Sequence, residues 1–203
     1  MQYFNSNPSE MEPPSWWKAK RKDAAIIADM GGFDIYKGEV NPLLTEWFLE
    51  NHIKPDSIVW DAFAGSGNSI AIGKRFNIDV IAQDIYSTNH LVIIDDSTRV
   101  GPTCDIDGAI LHPPYYGSSV FSESSLDIAQ EKYTKEYMDK IEKTINLALN
   151  ANAKTFCIVA RVYHANGIRV SLDWWLSSIL LKNGFKLKCM ASSVPDMAIV
   201  LER

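Results

Sequence analysis

Short apolar and β-branched runs alternate along the chain with stretches in which apolar positions recur every three or four residues. The short runs favour strands and the longer stretches favour helices. The strand patterns span residues 57–60, 80–82, 91–94, 106–111, 155–160, 185–190 and 197–201, and the main helix patterns span residues 42–52, 70–75, 134–150 and 171–183. Because strands and helices alternate, we predict an open α/β sheet of seven mainly parallel strands, with helices on both faces.

Residues at the ends of the helix patterns fit the known preferences of helix boundaries. Pro42 suits a first helical position, and Thr134 is the predicted N-cap of the longest helix. Gly184 follows the last helix pattern, where a glycine commonly ends a helix. These boundaries support four separate helices between the strands.

Composition narrows the class of protein. The 203 residues include 20 Lys+Arg and 25 Asp+Glu, which gives a formal net charge of −5. The hydrophobic fraction of 46% is too high for a disordered chain. The acidic balance excludes a wholly basic nucleic-acid coat, so any nucleic-acid contact requires a local patch.

The cysteines and the absence of long apolar runs indicate a cellular location. Cys104, Cys157 and Cys189 lie in strand-like apolar runs, and their odd number favours reduced core thiols. The N-terminal residues do not resemble a signal peptide, and no run approaches the ~18 apolar residues of a membrane span. We therefore predict a cytoplasmic protein without membrane association.

A glycine-containing segment follows the first strand pattern and precedes a helix pattern. This segment, residues 61–69 with the sequence DAFAGSGNS, is called the glycine loop here. A strand, a glycine turn and a helix together present backbone N–H groups to a polar ligand. The dinucleotide-binding motif needs a small residue where Ile70 stands, and the phosphate loop needs Ser or Thr where Arg75 follows Gly73-Lys74. The sequence therefore argues against both a dinucleotide-binding motif and a phosphate loop.

Carboxylates follow the next two strand patterns. Asp84 ends the second pattern, 23 residues after Asp61, and Asp95 and Asp96 follow the third. Carboxyl ends of parallel strands meet at one sheet edge, where ligands bind in this fold class. A carboxylate at the position of Asp84 can accept hydrogen bonds from both ribose hydroxyls of an adenosine-containing cofactor. Turn and N-cap roles remain the alternative for all four aspartates.

The fourth strand pattern leads into His112, Pro113, Pro114 and Tyr115, called the proline motif here. Two consecutive prolines fix φ twice and remove two N–H donors, so that only carbonyl acceptors remain. A rigid acceptor beside an aromatic ring suits an exocyclic amino group on a planar base. A simple proline turn at a strand end is the alternative.

Together, the glycine loop and the proline motif resemble the paired signatures of class I S-adenosylmethionine-dependent amino-methyltransferases, which modify adenine N6 or cytosine N4 in DNA. The resemblance extends from about Gly38 to the C-terminus and includes Asn41-Pro42 before the first strand. It implies a Rossmann-like methyltransferase fold, S-adenosylmethionine as cofactor and a catalytic domain over residues 38–203. The remaining residues 1–37 form a predicted N-terminal arm.

The resemblance assigns roles to the residues of the two motifs. His112 and the Pro113 carbonyl would accept hydrogen bonds from the two N–H groups of the amine. Pro114 would stiffen the turn, and Tyr115 would stack on the base. Preorganised acceptors of this kind stabilise the charge that develops on the amine. The residues implied in cofactor binding are Asn41, Pro42, Asp61, Phe63, Ala64, Gly65, Ser66, Gly67, Asp84, Ile85 and Asp96, with Asp95 as an alternative to Asp96.

The chain departs from this family in two respects. His112 stands where the family has Asp, Asn or Ser, so we expect methyl transfer to fall when acid protonates the imidazole. The chain has no separate target-recognition segment, which leaves a specificity partner or a homodimer open. No metal is expected, because the histidines lack ligand spacing.

The nature of the substrate remains open at this stage. DNA is the first expectation, and RNA base methylation and an inactive cofactor-binding subunit are the alternatives. Trp16, Trp17 and the basic residues after them could stack on unpaired bases and neutralise phosphates. Packing of these tryptophans onto the core is equally open. Tyr163 and Arg169, beyond the fifth strand, could contact substrate or lie in a solvated loop.

Overall fold

The protein is described by a computed structural model, in which residues 42–117, 122–160, 162–165, 168–193 and 196–203 are described. The predicted N-terminal arm and Asn41 lie outside these residues. No helix of the described part is long and apolar enough to cross a membrane.

Nine strands are present in the described residues. They are β1 (Ile58–Asp61), β2 (Asp79–Asp84), β3 (Ile93–Ile94), β4 (Gly108–Leu111), β5 (Thr155–Ala160), β6 (Val162–Ala165), β7 (Ile168–Ser171), β8 (Lys186–Ser193) and β9 (Asp196–Glu202). Seven of them form one sheet in the order β3-β2-β1-β4-β5-β9-β8. The pairs from β3 to β5 are parallel, whereas β9 runs antiparallel to β5 and β8. The predicted seven-stranded, mainly parallel sheet is confirmed.

Helices cover both faces of this sheet. They are α1 (Pro42–His52), α2 (Asn68–Arg75), α3 (Thr134–Asn150) and α4 (Leu172–Lys182). The inner strand β5 shows why both faces need cover, because successive side chains of a strand point to opposite sides. Phe156 belongs to a core cluster with residues of α3 and α4, whereas Cys157 belongs to a second cluster with residues of α1 and α2.

Three sequence-based expectations need correction. Cys157 is buried as predicted, but Cys104 is exposed. Cys104 lies in the loop before β4, because the run that contains it ends before the strand begins. Thr134 is the first residue of α3, and Tyr133 holds the N-cap position in extended conformation without a capping side chain. The third strand has only the two residues of β3, because the chain before it is held in turns by Asn89.

The structure also contains an element that the strand patterns did not identify. Strands β6 and β7 form a separate antiparallel pair directly after β5, in place of the loop that was considered. The sequence contains a signal for this pair, because Asn166-Gly167 separates two short runs with β-branched and aromatic residues. We call this element the β6–β7 pair.

Candidate functional site

The glycine loop and the proline motif leave neighbouring strands at the same edge of the sheet. β1 and β4 are parallel partners, with Asp61 opposite Ile110. One residue further, the Ala62 amide donates a 3.3 Å hydrogen bond to the Ile110 carbonyl. The glycine loop begins at Asp61, and the proline motif begins two residues after Ile110. The strand register therefore places the two motifs at neighbouring strand ends.

Backbone hydrogen bonds shape the glycine loop. The Ala64 amide donates to the Gln83 carbonyl at 3.0 Å, and the Gly67 amide donates to the Ala64 carbonyl at 2.8 Å. Gly65 and Gly67 have φ values of +52° and +78°, a region that L-residues other than glycine rarely adopt. A Cβ built at Gly65 would meet no atom within 4 Å, so the loop faces open space there. The loop thus offers room for a ligand beside its backbone.

The carboxylate of Asp84 connects the glycine loop to the end of β2. Its Oδ2 accepts a 2.8 Å hydrogen bond from the Gly65 amide, and its Oδ1 accepts one of 3.3 Å from the Tyr86 amide. Burial raises the pKa of this carboxyl, and the backbone amides of Gly65, Tyr86 and Ile85 oppose the rise. Asp84 is therefore fixed in orientation at the mouth of the loop.

Asp61 lies beneath the loop and is buried, with only 7% of its surface exposed. Its Oδ1 accepts a 3.4 Å hydrogen bond from the Phe63 amide, as expected for a residue that orders the loop. Burial raises the pKa of the Asp61 carboxyl to about 6, and the charge of Asp84 contributes to the rise. Two carboxylates thus share this small region.

The two aspartates that follow β3 differ in burial. Asp96 is buried, and its Oδ1 accepts hydrogen bonds from the Thr98 amide at 2.9 Å and the Thr98 hydroxyl at 2.7 Å. Asp95 is exposed, and its Oδ1 accepts a bond from the Asp96 amide. The structure thus gives Asp96 a turn-stabilising role, which was the alternative considered for it, and a ligand contact by Asp96 remains a proposal.

The proline motif is held by tyrosine contacts. The hydroxyl of the buried Tyr137, on α3, donates a 3.1 Å hydrogen bond to the Pro114 carbonyl. The ring of Tyr115 is buried and packs edge-to-face against His112, with centroids 5.9 Å apart. Its hydroxyl donates a 3.4 Å hydrogen bond to Oδ1 of Asp196. The motif is consequently rigid on the side facing the core.

Tyr163, on the β6–β7 pair, stacks on Tyr115. The ring centroids lie 4.9 Å apart, and the ring planes differ by 24°. Tyr115 was predicted to stack on a base, and in this structure one face of its ring is covered by Tyr163. The stacking could not be identified from the sequence, because it depends on where the β6–β7 pair folds.

Asn89 is a second site residue that the sequence did not identify. This buried side chain donates from Nδ2 to the Ser66 carbonyl at 2.9 Å and accepts from the Leu91 amide at 3.0 Å. A Cβ built at Gly67 would lie 2.5 Å from Asn89 Nδ2 and 2.7 Å from a methyl group of Val92. Asn89 thus holds the inner side of the glycine loop. No motif marks it within its polar stretch.

The remaining predicted site residues occupy less distinctive positions. Ser66 is buried, whereas Pro42, Phe63, Ala64 and Ile85 are half-buried. Pro42 begins α1, and Phe63 packs against the core. Ala64 follows β1 within the glycine loop, and Ile85 directly follows β2. Among the described residues, no group of three or more His, Cys, Asp or Glu side chains could hold a metal ion.

Comparison with known proteins identifies the fold. No protein-family model and no curated protein matches the sequence. Among solved structures, the chain is similar to 1,6-didemethyltoxoflavin-N1-methyltransferase from Burkholderia thailandensis, crystallised with 1,6-didemethyltoxoflavin and S-adenosylhomocysteine. That match has a TM-score of 0.56 and 16% identity over 95% of this chain and 93% of the other.

A second similar structure is an rRNA methylase from Streptococcus thermophilus. The TM-score is 0.52, and the identity is 15% over 83% of this chain and 99% of that chain. These identities are low, so the matches define the fold and not the substrate. The chain has the Rossmann-like fold of class I S-adenosylmethionine-dependent methyltransferases.

Proposed function

We propose that this protein is an S-adenosylmethionine-dependent methyltransferase that acts on an exocyclic amino group of a nucleic-acid base. The observation that carries the proposal is the pairing of β1 with β4. It brings the glycine loop, which resembles a cofactor-binding loop, beside the proline motif, which resembles an amine-binding motif. Either motif alone is a weak signal, and their proximity at one sheet edge makes the combination specific.

The glycine loop supports S-adenosylmethionine as the cofactor. Open space beside Gly65 leaves room for a ligand to approach the backbone, and the Asp84 carboxylate lies at the adjacent strand end. In this proposal, Gly65 and Gly67 contact the methionine part, Asp84 accepts from the ribose hydroxyls, and Asp96 accepts from the adenine amino group. Asp61 keeps the loop in position through its bond with the Phe63 amide.

The other proposed cofactor contacts surround these residues. Ser66 and Ala64 contribute loop backbone, Phe63 and Ile85 contribute apolar packing, and Asn41-Pro42 lie at the start of α1. Bound S-adenosylmethionine supplies an electrophilic methyl group on a sulfonium. The chain's own residues hold this group, exclude water and orient the acceptor.

The proline motif supports an aromatic amine as the methyl acceptor. The amine nitrogen forms a bond to the methyl carbon while the carbon–sulfur bond breaks, and the electron pair leaves with sulfur as a neutral thioether. One amine proton is then lost to solvent or to an acceptor. The Pro113 carbonyl and the His112 imidazole accept hydrogen bonds from the two N–H groups of the amine. These hydrogen bonds stabilise the developing positive charge.

DNA is the first proposed substrate, with adenine N6 or cytosine N4 as the amine. The support is the resemblance of the two motifs to the enzymes of that chemistry. RNA is the second candidate, and one of the structures with a similar fold is an rRNA methylase. A base within a duplex must be extruded to reach the site, which costs a few kcal/mol and less for a single strand.

Calorimetric titration with S-adenosylhomocysteine tests the cofactor site. Gly65→Ala places a methyl group in the proposed cofactor space, and we expect it to weaken binding at least tenfold. Gly184→Ala is a matched control, because Gly184 also has positive φ, at +85°, and also has open space around its Cβ position. Both variants carry the same kind of backbone strain, so a loss of binding in Gly65→Ala alone assigns the effect to the glycine loop.

The outcomes of this titration are distinct. Binding to wild type and to Gly184→Ala, with loss in Gly65→Ala, supports the site. Absence of binding to the wild-type protein contradicts the proposed function. Tritium transfer from labelled cofactor onto DNA and RNA then separates the substrates, and binding without transfer to either favours an inactive subunit.

A further inference from the structure

We propose that Tyr163 occupies the place of the methyl-acceptor base in the free protein and that a planar base enters between the rings of Tyr115 and Tyr163. This inference rests on the proposed function and makes the β6–β7 pair part of the substrate site. It assigns to the site a planar, unpaired heteroaromatic base that is stacked on both faces.

The geometry of the two rings carries the first step. Tyr115 and Tyr163 are stacked with centroids 4.9 Å apart and planes 24° from parallel. Tyr115 follows the rigid prolines that would receive the amine, so a base bound there would use the ring face that Tyr163 covers. Aromatic side chains stack on bases as readily as on each other. Tyr163 therefore stands where a base would be expected.

The anchoring of the two tyrosines differs, which carries the second step. Tyr115 is buried and directly follows the two prolines, and the Tyr137 hydroxyl donates a 3.1 Å hydrogen bond to the Pro114 carbonyl. Tyr163 belongs to the β6–β7 pair, which is a separate two-stranded sheet outside the seven-stranded one. An isolated pair of strands contributes little stability by itself. Opening of the ring stack consequently moves Tyr163 and leaves Tyr115 in place.

The hydroxyl of Tyr163 provides an independent observation. It is buried beside the Tyr116 backbone and the Tyr137 hydroxyl, but no described residue meets it with hydrogen-bond geometry. A buried polar atom without a partner is uncommon and calls for an explanation. A base that inserts at this point brings polar edge atoms that can satisfy it.

The strand alternation of the β6–β7 pair separates two faces. Tyr163 pairs with Val170, and both pack against the main core cluster. His164 pairs with Arg169 on the opposite face, and both are exposed. Val162 is also exposed, on the same face as His164, so Val162→Ala changes the β6–β7 pair without touching the ring stack.

Binding of short single strands to the protein saturated with S-adenosylhomocysteine tests the inference. The probes are strands of deoxyadenosine or deoxycytidine, their RNA counterparts, and an abasic strand with the same phosphates. We expect Tyr163→Leu to weaken binding of base-containing strands about fivefold to a hundredfold, the range reported for the loss of one stacked base. Val162→Ala should bind like wild type. Tyr163→Phe should lose less affinity than Tyr163→Leu, because it keeps the stacking ring and lacks only the hydroxyl contact. The abasic strand should not distinguish the variants.

Two results would overturn the inference. One is equal affinity of wild type and Tyr163→Leu for every base-containing strand, and the other is an equal loss on the abasic strand, which would indicate a structural role only. Calorimetry with S-adenosylhomocysteine on the same variants separates the two proposals. If the wild-type protein does not bind S-adenosylhomocysteine, the proposed function is wrong. If it does bind and the affinity for strands does not depend on Tyr163, only this inference is wrong.

A measurement on the wild-type protein covers the case in which Tyr163→Leu does not fold. With carbon-13-labelled tyrosine, addition of a single strand should shift the ring resonances of Tyr115 and Tyr163, assigned through Tyr163→Phe. The exposed Tyr133 serves as the internal reference. Strand binding without a shift at Tyr163 contradicts base insertion.

Discussion

The backbone amide of Gly65 donates a 2.8 Å hydrogen bond to the carboxylate of Asp84. This bond joins the glycine loop to the end of β2. It holds Gly65 in its left-handed conformation and fixes the orientation of the half-buried Asp84 carboxylate. Burial opposes ionisation of Asp84, whereas the bonds from Gly65 and Tyr86 favour it. The loop and the carboxylate therefore form one preorganised unit.

Replacement of Asp84 should weaken the cofactor site. A hydrogen bond to a charged group contributes about 1.5–3 kcal/mol, so we expect Asp84→Ala to weaken S-adenosylhomocysteine binding about tenfold or more. Asp84→Asn retains one carbonyl acceptor and should lose less. Asp79→Asn, at the exposed beginning of the same strand, is the control and should bind normally in calorimetry.

The buried Asp61 predicts a pH dependence of stability. Burial raises the pKa of the Asp61 carboxyl to about 6 from 3.8 in the unfolded chain, so the folded protein retains a proton that the unfolded chain releases. Stability is consequently lost as pH rises from about 4 to about 6, by up to about 3 kcal/mol, and then levels off. Urea unfolding of wild type and Asp61→Asn across this range measures it.

In that comparison, Asp61→Asn should gain stability relative to wild type as pH rises, because asparagine has no proton to release. A constant difference between the two proteins from acid to neutral pH would contradict the raised pKa. Carboxyl groups that do not interact with Asp61 cancel in this comparison, since both proteins share them.

Asn89 should prove to be a positioning residue for the glycine loop. Asn89→Ala removes the donor to the buried Ser66 carbonyl, and an unsatisfied buried acceptor costs about 1–3 kcal/mol. We expect reduced stability in urea and weaker S-adenosylhomocysteine binding. Asn51→Ala is the control, because Asn51 also donates to a backbone carbonyl, that of Trp47, but is exposed. Normal cofactor affinity of Asn89→Ala would exclude the positioning role.

The Tyr137 hydroxyl should matter for the methyl acceptor more than for the cofactor. Tyr137→Phe leaves the Pro114 carbonyl without its 3.1 Å donor, so the proline motif loses one of its fixed contacts. We expect a loss of about 1–2 kcal/mol in stability and a fall in kcat with little change in S-adenosylhomocysteine affinity. Tyr133→Phe, one turn earlier and exposed, should have neither effect.

The imidazole of His112 should make methyl transfer sensitive to acid. Only the neutral ring has an acceptor nitrogen for the amine, so kcat should fall when the ring is protonated. Asn at this position accepts at every pH, and His112→Asn should therefore show a flat profile. A flat profile in wild type as well would show that His112 does not contact the amine.

Much of the fold was predictable because its elements depend on local patterns. The alternation of Phe156 and Cys157 between two cores follows from the period of a strand. The β6–β7 pair was missed although Asn166-Gly167 is a hairpin signal. Its runs are short and contain polar residues, so the period of two is weak there.

Contacts between distant segments could not be predicted. Asn89 reaches Ser66 across 23 residues, and Tyr163 reaches Tyr115 from another sheet, so neither contact has a sequence pattern. Cys104 shows the same limit for burial. It follows a proline and a threonine in a run that resembles a strand, but the backbone remains a loop there.

Mass spectrometry of the nucleosides after incubation with S-adenosylmethionine tests the central claim most directly. Single-stranded DNA and RNA serve as substrates, and the Gly65→Ala protein serves as the control. We predict N6-methyladenine or N4-methylcytosine with wild type and at least tenfold less with Gly65→Ala. Methylation of a ring carbon or a ribose hydroxyl, or no methylated nucleoside from a wild-type protein that binds S-adenosylhomocysteine, would contradict amine methylation at the proline motif.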